Sequence, residues 1–187
     1  MNYFPYIVYA AWLASEILLN RMLRSGAKDR KNADRSSLAI IWITIVVVCV
    51  GAVQLAKRTY YPILNNWALV MNIGLGVIIL GMILRFAVIR SLGRYFTVDV
   101  TIREGHKLKT DGIYRYLRHP SYAASLLSFA GLGISLNNYF SLLMLVVLVG
   151  AAFFYRIKVE EKALIGQFGN DYIKYMKGTK RLIPFIF

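Results

Sequence analysis

Acidic residues are scarce in this 187-residue chain: nine Asp and Glu stand against 23 Lys and Arg, for a formal net charge of +14. Histidine is scarcer still, with His106 and His119 the only two. A single cysteine, Cys49, excludes an intrachain disulfide, and its place inside an apolar run makes it a buried, inert thiol. With no second cysteine and no acids clustered at ligand spacing, no metal site is expected. Nor is there a Ser/His/Asp or Cys/His constellation for nucleophilic catalysis. The positive excess does not point to nucleic acid, because the basic residues fall between long apolar runs rather than along one polar face. There are no internal repeats and no low-complexity segments.

What the chain has in abundance is apolar surface. Hydrophobic residues make up 58% of it and the mean hydropathy is +0.52, outside the range of a soluble domain of this length. A helix needs about 17 to 20 apolar residues to cross a bilayer. Five stretches qualify, at Tyr3–Leu19, Leu38–Ala56, Ile63–Leu84, His119–Leu136 and Tyr139–Tyr155. The first lacks a basic leader and carries Glu16, so it reads as a retained anchor rather than a cleaved signal. The last two are joined by Asn137 and Asn138, which predicts a tight antiparallel hairpin. The spacing of Ile157, Leu164, Phe168, Tyr172 and Met176 predicts an amphipathic helix over 156–177, lying on the membrane surface. The expected fold is therefore all-α, an integral membrane bundle of about five transmembrane helices with a C-terminal amphipathic helix. Lysine and arginine set its orientation: 21 of the 23 fall in the segments 21–37, 85–118 and 156–187, and only Lys57 and Arg58 lie in the opposite loop. The asymmetry places the N-terminus outside and the C-terminus in the cytosol, across the plasma (inner) membrane if the source is prokaryotic.

Two places gather polar chemistry at that cytosolic face. Glu160 and Glu161 follow Arg156 where the fifth stretch ends, and Arg156 and Glu160 share a helix face as an i, i+4 pair, read either as a surface ion pair or as a charged pocket under a membrane lid. Pro120 suits the first turn of a helix, which puts Arg118 and His119 at the N-terminal end of the fourth stretch, where free N–H groups attract an anion. Taken alone, Arg118 reads as a positive-inside anchor, and Tyr114, Tyr116 and Tyr122 as an interfacial aromatic belt. Ala124, Ser128 and Gly131 recur at i, i+4 and i+7, the spacing of close helix packing. Glu16 and Asn72 lie within apolar stretches and are expected to make interhelical hydrogen bonds.

The run EGHKLKTDGIYRYLRHPSY, followed after an apolar stretch by RIKVEEKALIGQFGNDYIKYMKG, closely resembles the isoprenylcysteine carboxyl methyltransferase family of integral membrane enzymes. The resemblance covers 92–187, a methyltransferase core of cytosolic loop, transmembrane hairpin and C-terminal helix; residues 1–91, with the first three transmembrane helices, match in layout alone. It implies S-adenosylmethionine as methyl donor and a lipophilic or lipidated acceptor that enters from the bilayer. Carried over residue by residue, it implies a cofactor site formed by His106, Lys107, Leu108, Lys109, Tyr114, His119, Pro120, Ser121, Tyr122 and Glu160. Arg156 would hold the acceptor carboxylate, and Glu160 and Glu161 complete the catalytic group. The chemistry is consistent with this, since the donor combines cations, a carboxylate and an adenine and so needs acidic, basic and aromatic partners together. A carboxylate acceptor is ionised at neutral pH and requires alignment rather than a base. An amine acceptor would need Glu160 or Glu161 as base, which keeps a phospholipid N-methyltransferase open as the alternative. A sterol-type NADPH-dependent reductase and a non-enzymatic membrane scaffold are the more distant ones. Eukaryotic members have more spans and a longer acidic run before the paired glutamates, where this chain has Lys158 and Val159; the five-span layout resembles the smaller prokaryotic members.

Overall fold

A computed structural model of the chain describes residues 3–22, 35–93 and 108–182. Among the described residues six α-helices follow in order: α1 (Phe4–Met22), α2 (Arg35–Arg58), α3 (Trp67–Leu92), α4 (Pro120–Ser135), α5 (Tyr139–Phe168) and α6 (Asn170–Gly178), with a 3-10 turn at Gly112–Arg115 before α4. Among the described residues no strand forms. Three helical stretches, 39–58, 67–92 and 139–168, are long and apolar enough to cross a membrane. The apolar part of α1, Phe4–Leu19, is shorter, and the 16 residues of α4 span about 24 Å at 1.5 Å each. The five expected crossings thus resolve into three helices of full length and two shorter ones.

The outer surface is apolar. Ile43, Val47 and Ile83 are each at least 60% exposed, a distribution that suits lipid rather than water, and the chain is an integral membrane bundle. Its interior is built by close approach. Gly74 and Gly81 of α3 face Gly131, Ser135, Ala124 and Ser128 of α4, so the two backbones meet without intervening side chains and run antiparallel. This is the packing that the spacing of Ala124, Ser128 and Gly131 predicts. A Cβ on Gly131 would lie 2.7 Å from the Ile78 backbone nitrogen and 2.8 Å from the Gly74 carbonyl oxygen. Gly131→Ala should therefore destabilise the protein by about 1–3 kcal/mol, the usual range for overpacking, read as a lowered thermal midpoint in detergent. A wild-type midpoint would mean that α3 and α4 separate at little cost.

On its other flank α4 packs against α5, and α5 against α2, where Ser141 Oγ donates to the Ala52 carbonyl at 2.8 Å. α1 packs along α3 and reaches α4 through the Tyr9–Ser135 hydroxyl bond of 2.8 Å and an edge-on Trp12–Phe129 contact of 5.0 Å. At the far end of the bundle the two asparagines do more than turn the chain. Asn137, at φ +47, accepts from Ile63 N at 3.0 Å and donates to the Leu64 carbonyl at 3.0 Å. Asn138 caps α5 through Ser141 N and donates to the Thr59 carbonyl at 3.2 Å.

The C-terminal half departs from expectation. No new helix begins at Arg156: α5 runs unbroken for 30 residues, about 45 Å, and carries the paired glutamates on its extension. The chain turns at Gly169, where φ is +53 and its N–H caps the Ile165 carbonyl, a conformation that favours glycine. The amphipathic helix is the short α6 alone, with Tyr172 buried. The third helix also starts later than Ile63, at Trp67, because Asn66 caps it through Leu69 N.

Candidate functional site

The site forms where the N-terminal end of α4 meets the extension of α5. Pro120 opens α4 with His119 as its N-cap, and Arg156, Glu160 and Glu161 project from one and a half turns of α5. A third piece of chain closes it. Leu117 and Lys180 pair in a parallel bridge: Lys180 N–H donates to the Tyr116 carbonyl at 3.0 Å, and Arg118 and His119 N–H donate to the carbonyls of Lys180 and Arg181 at 2.8 and 3.1 Å. The segment after α6 is thus strapped alongside the residues that lead into α4.

Glu161 anchors this junction. Its side chain is 5% exposed and takes Arg118 Nε at 3.0 Å on Oε1. Arg181 reaches both oxygens, with Nη2 2.9 Å from Oε2. These hydrogen bonds raise the pKa of the Arg181 guanidinium further above its ordinary value. Arg118 in turn donates through Nη1 to the Met176 carbonyl at 2.9 Å, to the Thr179 carbonyl and to Thr179 Oγ1. At 8% side-chain exposure it is a buried cross-link rather than the headgroup anchor that its sequence position suggests. Tyr175 adds a bond to the Tyr114 carbonyl at 2.6 Å, and burial pushes its phenol up to about 12, so it stays a donor at neutral pH.

Glu160 faces differently. Its side chain is 34% exposed, and Oε2 accepts from the Tyr122 hydroxyl at 3.1 Å. Oε1 accepts no hydrogen bond among the described residues. His119 is buried between the two acids, with Nδ1 3.8 Å from Glu160 Oε2 and Nε2 3.5 Å from Glu161 Oε1. Arg156 is 1% exposed, so it is buried within the bundle rather than displayed as half of a surface pair. Tyr114 and Tyr172 are buried nearby; burial raises both phenols, and the charge of Glu160 raises them further.

Of the residues singled out in the sequence, Tyr114, His119, Tyr122, Arg156, Glu160 and Glu161 are thus brought together, with Pro120 and Ser121 buried in the first turn of α4 beside them. Lys109 is occupied locally, its Nζ 2.9 Å from Asp111 Oδ1, and Leu108 is half-buried. His106 and Lys107 lie outside the described residues. Sequence reasoning missed Arg181, Thr179, Tyr172 and Tyr175 as parts of the junction, and misread Arg118. Arg118 at least stood inside the quoted run, whereas Arg181 meets Glu161 through tertiary folding alone.

Residues 73–166 match the model of the isoprenylcysteine carboxyl methyltransferase family. Protein-S-isoprenylcysteine O-methyltransferase B of Arabidopsis thaliana is 38% identical over 134 residues, which cover 71% of this chain and 68% of that one. The chain belongs to the isoprenylcysteine carboxyl methyltransferase family. A probable protein-S-isoprenylcysteine O-methyltransferase of Oryza sativa subsp. japonica is 28% identical over 184 residues, 94% of this chain and 96% of that one. The fold agrees as well: the structure of the eukaryotic intramembrane Ras methyltransferase superposes with a TM-score of 0.63 at 24% identity, over 97% of this chain and 68% of that one. The family match spans α3 to the extension of α5 and so contains both faces of the site, Arg118–Tyr122 and Arg156–Glu161. As a member of the isoprenylcysteine carboxyl methyltransferase family, the protein is a membrane methyltransferase.

Proposed function

We propose that this protein methylates the carboxylate of a lipophilic acceptor, of the prenylcysteine type, with S-adenosylmethionine as donor. The observation that carries the reading is Arg156: a guanidinium 1% exposed, on the helix that emerges from lipid, one turn before the paired acids. Such a group matches a carboxylate through two parallel hydrogen bonds, and a dry surrounding strengthens the attraction. The acceptor is ionised at neutral pH, so transfer to it requires alignment with the donor methyl rather than a base.

The residues present fit the donor. S-adenosylmethionine, when bound, supplies a methyl group on a positively charged sulfur. Glu160 keeps one carboxylate oxygen open for a cation, Tyr114, Tyr122 and Tyr172 offer aromatic faces, and the first-turn N–H of Ser121 is available to an anion. Leu108, Lys109, His119 and Pro120 flank the same end, and His106 and Lys107 extend the set in sequence. Glu161 acts at one remove in this reading, fixing Arg118 and Arg181 so that the strap holds His119 in place. The site end is cytosolic in this reading, with the N-terminus outside, because the exposed Arg21, Arg90, Lys158 and Lys162 gather there.

Incubation of the purified protein with methyl-labelled S-adenosylmethionine and an N-acetyl-S-prenylcysteine should give a labelled ester that mild base hydrolyses. Transfer to phosphatidylethanolamine, with a base-stable label, would overturn the carboxyl assignment.

A further inference from the structure

The Glu16–Arg85 pair takes no part in the site above. Glu16 belongs to α1 and Arg85 to α3. Arg85 Nη2 stands 3.2 Å from Glu16 Oε2, and the side chains are only 17% and 15% exposed. Withdrawing two charges from water costs several kcal/mol per ion, which mutual attraction offsets only when the remaining hydrogen-bond capacity is filled. Here it is not: Arg85 Nε is buried and has no hydrogen-bond partner among the described residues. A guanidinium carries five donors in a fixed fork that matches a carboxylate edge, and Glu16 engages one nitrogen of it.

The position of the pair is as telling as its chemistry. α3 runs antiparallel to α4, with Gly74 facing Ser135 and Gly81 facing Ala124, so Arg85 lies one turn beyond Gly81 toward the end where Arg118 and His119 sit. α1 also runs antiparallel to α4, since Tyr9 meets Ser135 and Trp12 meets Phe129; Glu16 is one turn nearer the site than Trp12. Arg85 stands seven residues before the end of α3, about 10 Å at 1.5 Å each, on the side of Gly81 that leads toward the site. From Trp12 a line of rings leads inward through Phe129 and Phe153, 6.1 Å apart, to Tyr122, 5.3 Å further, and Tyr122 bonds Glu160. The charged pair therefore stands one helical turn from Trp12, the first of a row of buried rings that ends in the site.

We propose that Arg85, oriented by Glu16, is a docking point for the carboxylate of the membrane-borne acceptor, engaged before that group reaches Arg156. The inference rests on the acceptor reading above. An ionised group entering sideways from lipid needs a counter-charge at the hydrocarbon boundary, and Arg85 supplies one. Glu16 partly neutralises it, so the carboxylate is received without being trapped. Arg85 is a specificity residue for the acceptor and does not touch the donor.

The test uses the full chain in phosphatidylcholine nanodiscs, with methyl transfer to N-acetyl-S-prenylcysteine as the assay. Arg85→Gln should raise the acceptor KM roughly tenfold, the scale of one lost charge-assisted hydrogen bond, with the change falling on acceptor KM rather than on kcat or donor KM. Glu16→Gln should lower the acceptor KM, because a competing carboxylate is gone. Should Arg85→Gln fail to fold, Arg85→Lys carries the test through a smaller rise in the same constant. An unmoved acceptor KM in the folded variant, or a loss spread equally over both KM values and kcat, would make the pair a clamp between α1 and α3 and overturn the proposal. So would an Arg85 effect seen only in discs containing phosphatidylglycerol, which would assign the guanidinium to a bilayer phosphate. A wild-type protein that methylates no lipophilic carboxylate defeats the functional reading itself, whereas normal wild-type turnover with an indifferent Arg85→Gln defeats this inference alone.

Discussion

Arg156→Ala should lower kcat/KM for the acceptor by about thirtyfold to a few thousandfold while leaving the protein folded. Truncating one member of a desolvated, hydrogen-bonded charge pair costs about 2–5 kcal/mol, and each 1.36 kcal/mol is tenfold in rate. In the proposed complex the pair is Arg156 with the acceptor carboxylate, and Arg156 is desolvated, being 1% exposed. Arg156→Lys keeps the charge but loses the planar fork, so it should fall between the two. Glu160→Ala should also abolish turnover, through the donor KM rather than the acceptor KM, because its open oxygen faces the cofactor in this reading. Size-exclusion behaviour and thermal midpoints near the wild-type values establish that these variants are folded. Activity above a tenth of wild type in Arg156→Ala would remove that residue from the site.

A different kind of loss is expected of Glu161→Ala. Its carboxylate is shared by Arg118 and Arg181, and its removal leaves Arg118, 8% exposed at the side chain, as a buried charge without a counter-ion. Breaking a buried pair from one side costs about 3–5 kcal/mol. The strap 179–181 then loses the carboxylate that ties Arg181 to α5, and is left with the backbone bonds to 116–119 and the Arg118–Thr179 contacts of an uncompensated guanidinium. Trypsin should cleave after Lys180 or Arg181 well before the helices unfold, and the thermal midpoint should drop. Glu161→Gln retains an accepting oxygen and should lose less. Resistance to trypsin equal to wild type would mean that α6 and the backbone bridge hold the strap unaided. The contrast between adjacent acids is the point: position 160 should cost activity and position 161 cohesion.

How far the sequence led can be judged from particular residues. Apolar runs and small-residue spacing sufficed for the bundle, because the driving pattern is local: Ala124, Ser128 and Gly131 share a face whatever their partners are. The two quoted runs marked both walls of the site. The course of the chain after Tyr155 was not legible, because the loss of hydrophobicity at Arg156 looks the same whether the helix stops or continues into water. Only the positive φ of Gly169 shows that the break comes 13 residues later. Arg118 was misread for a related reason. A lysine or arginine at a membrane edge is ordinarily solvated, and what buries this one is Thr179, 61 positions away. Arg181 meets Glu161 only once α6 has folded back, a non-local event without periodic signature.

α5 has a mechanical consequence. One uninterrupted rod of 30 residues is both embedded in lipid and bears the acidic pair on its overhang. Its apolar part, Tyr139–Tyr155, is about 25 Å long, so the rest projects beyond the hydrocarbon, and a change of bilayer thickness is answered by a change of tilt. Tilting swings the overhang bearing Glu160 relative to the opening turn of the 16-residue α4, which has no comparable lever arm. Turnover in nanodiscs of short-chain and long-chain phosphatidylcholine should therefore differ, and equal turnover in the two would mean that the Glu161–Arg118 and Glu160–Tyr122 contacts hold the overhang to α4.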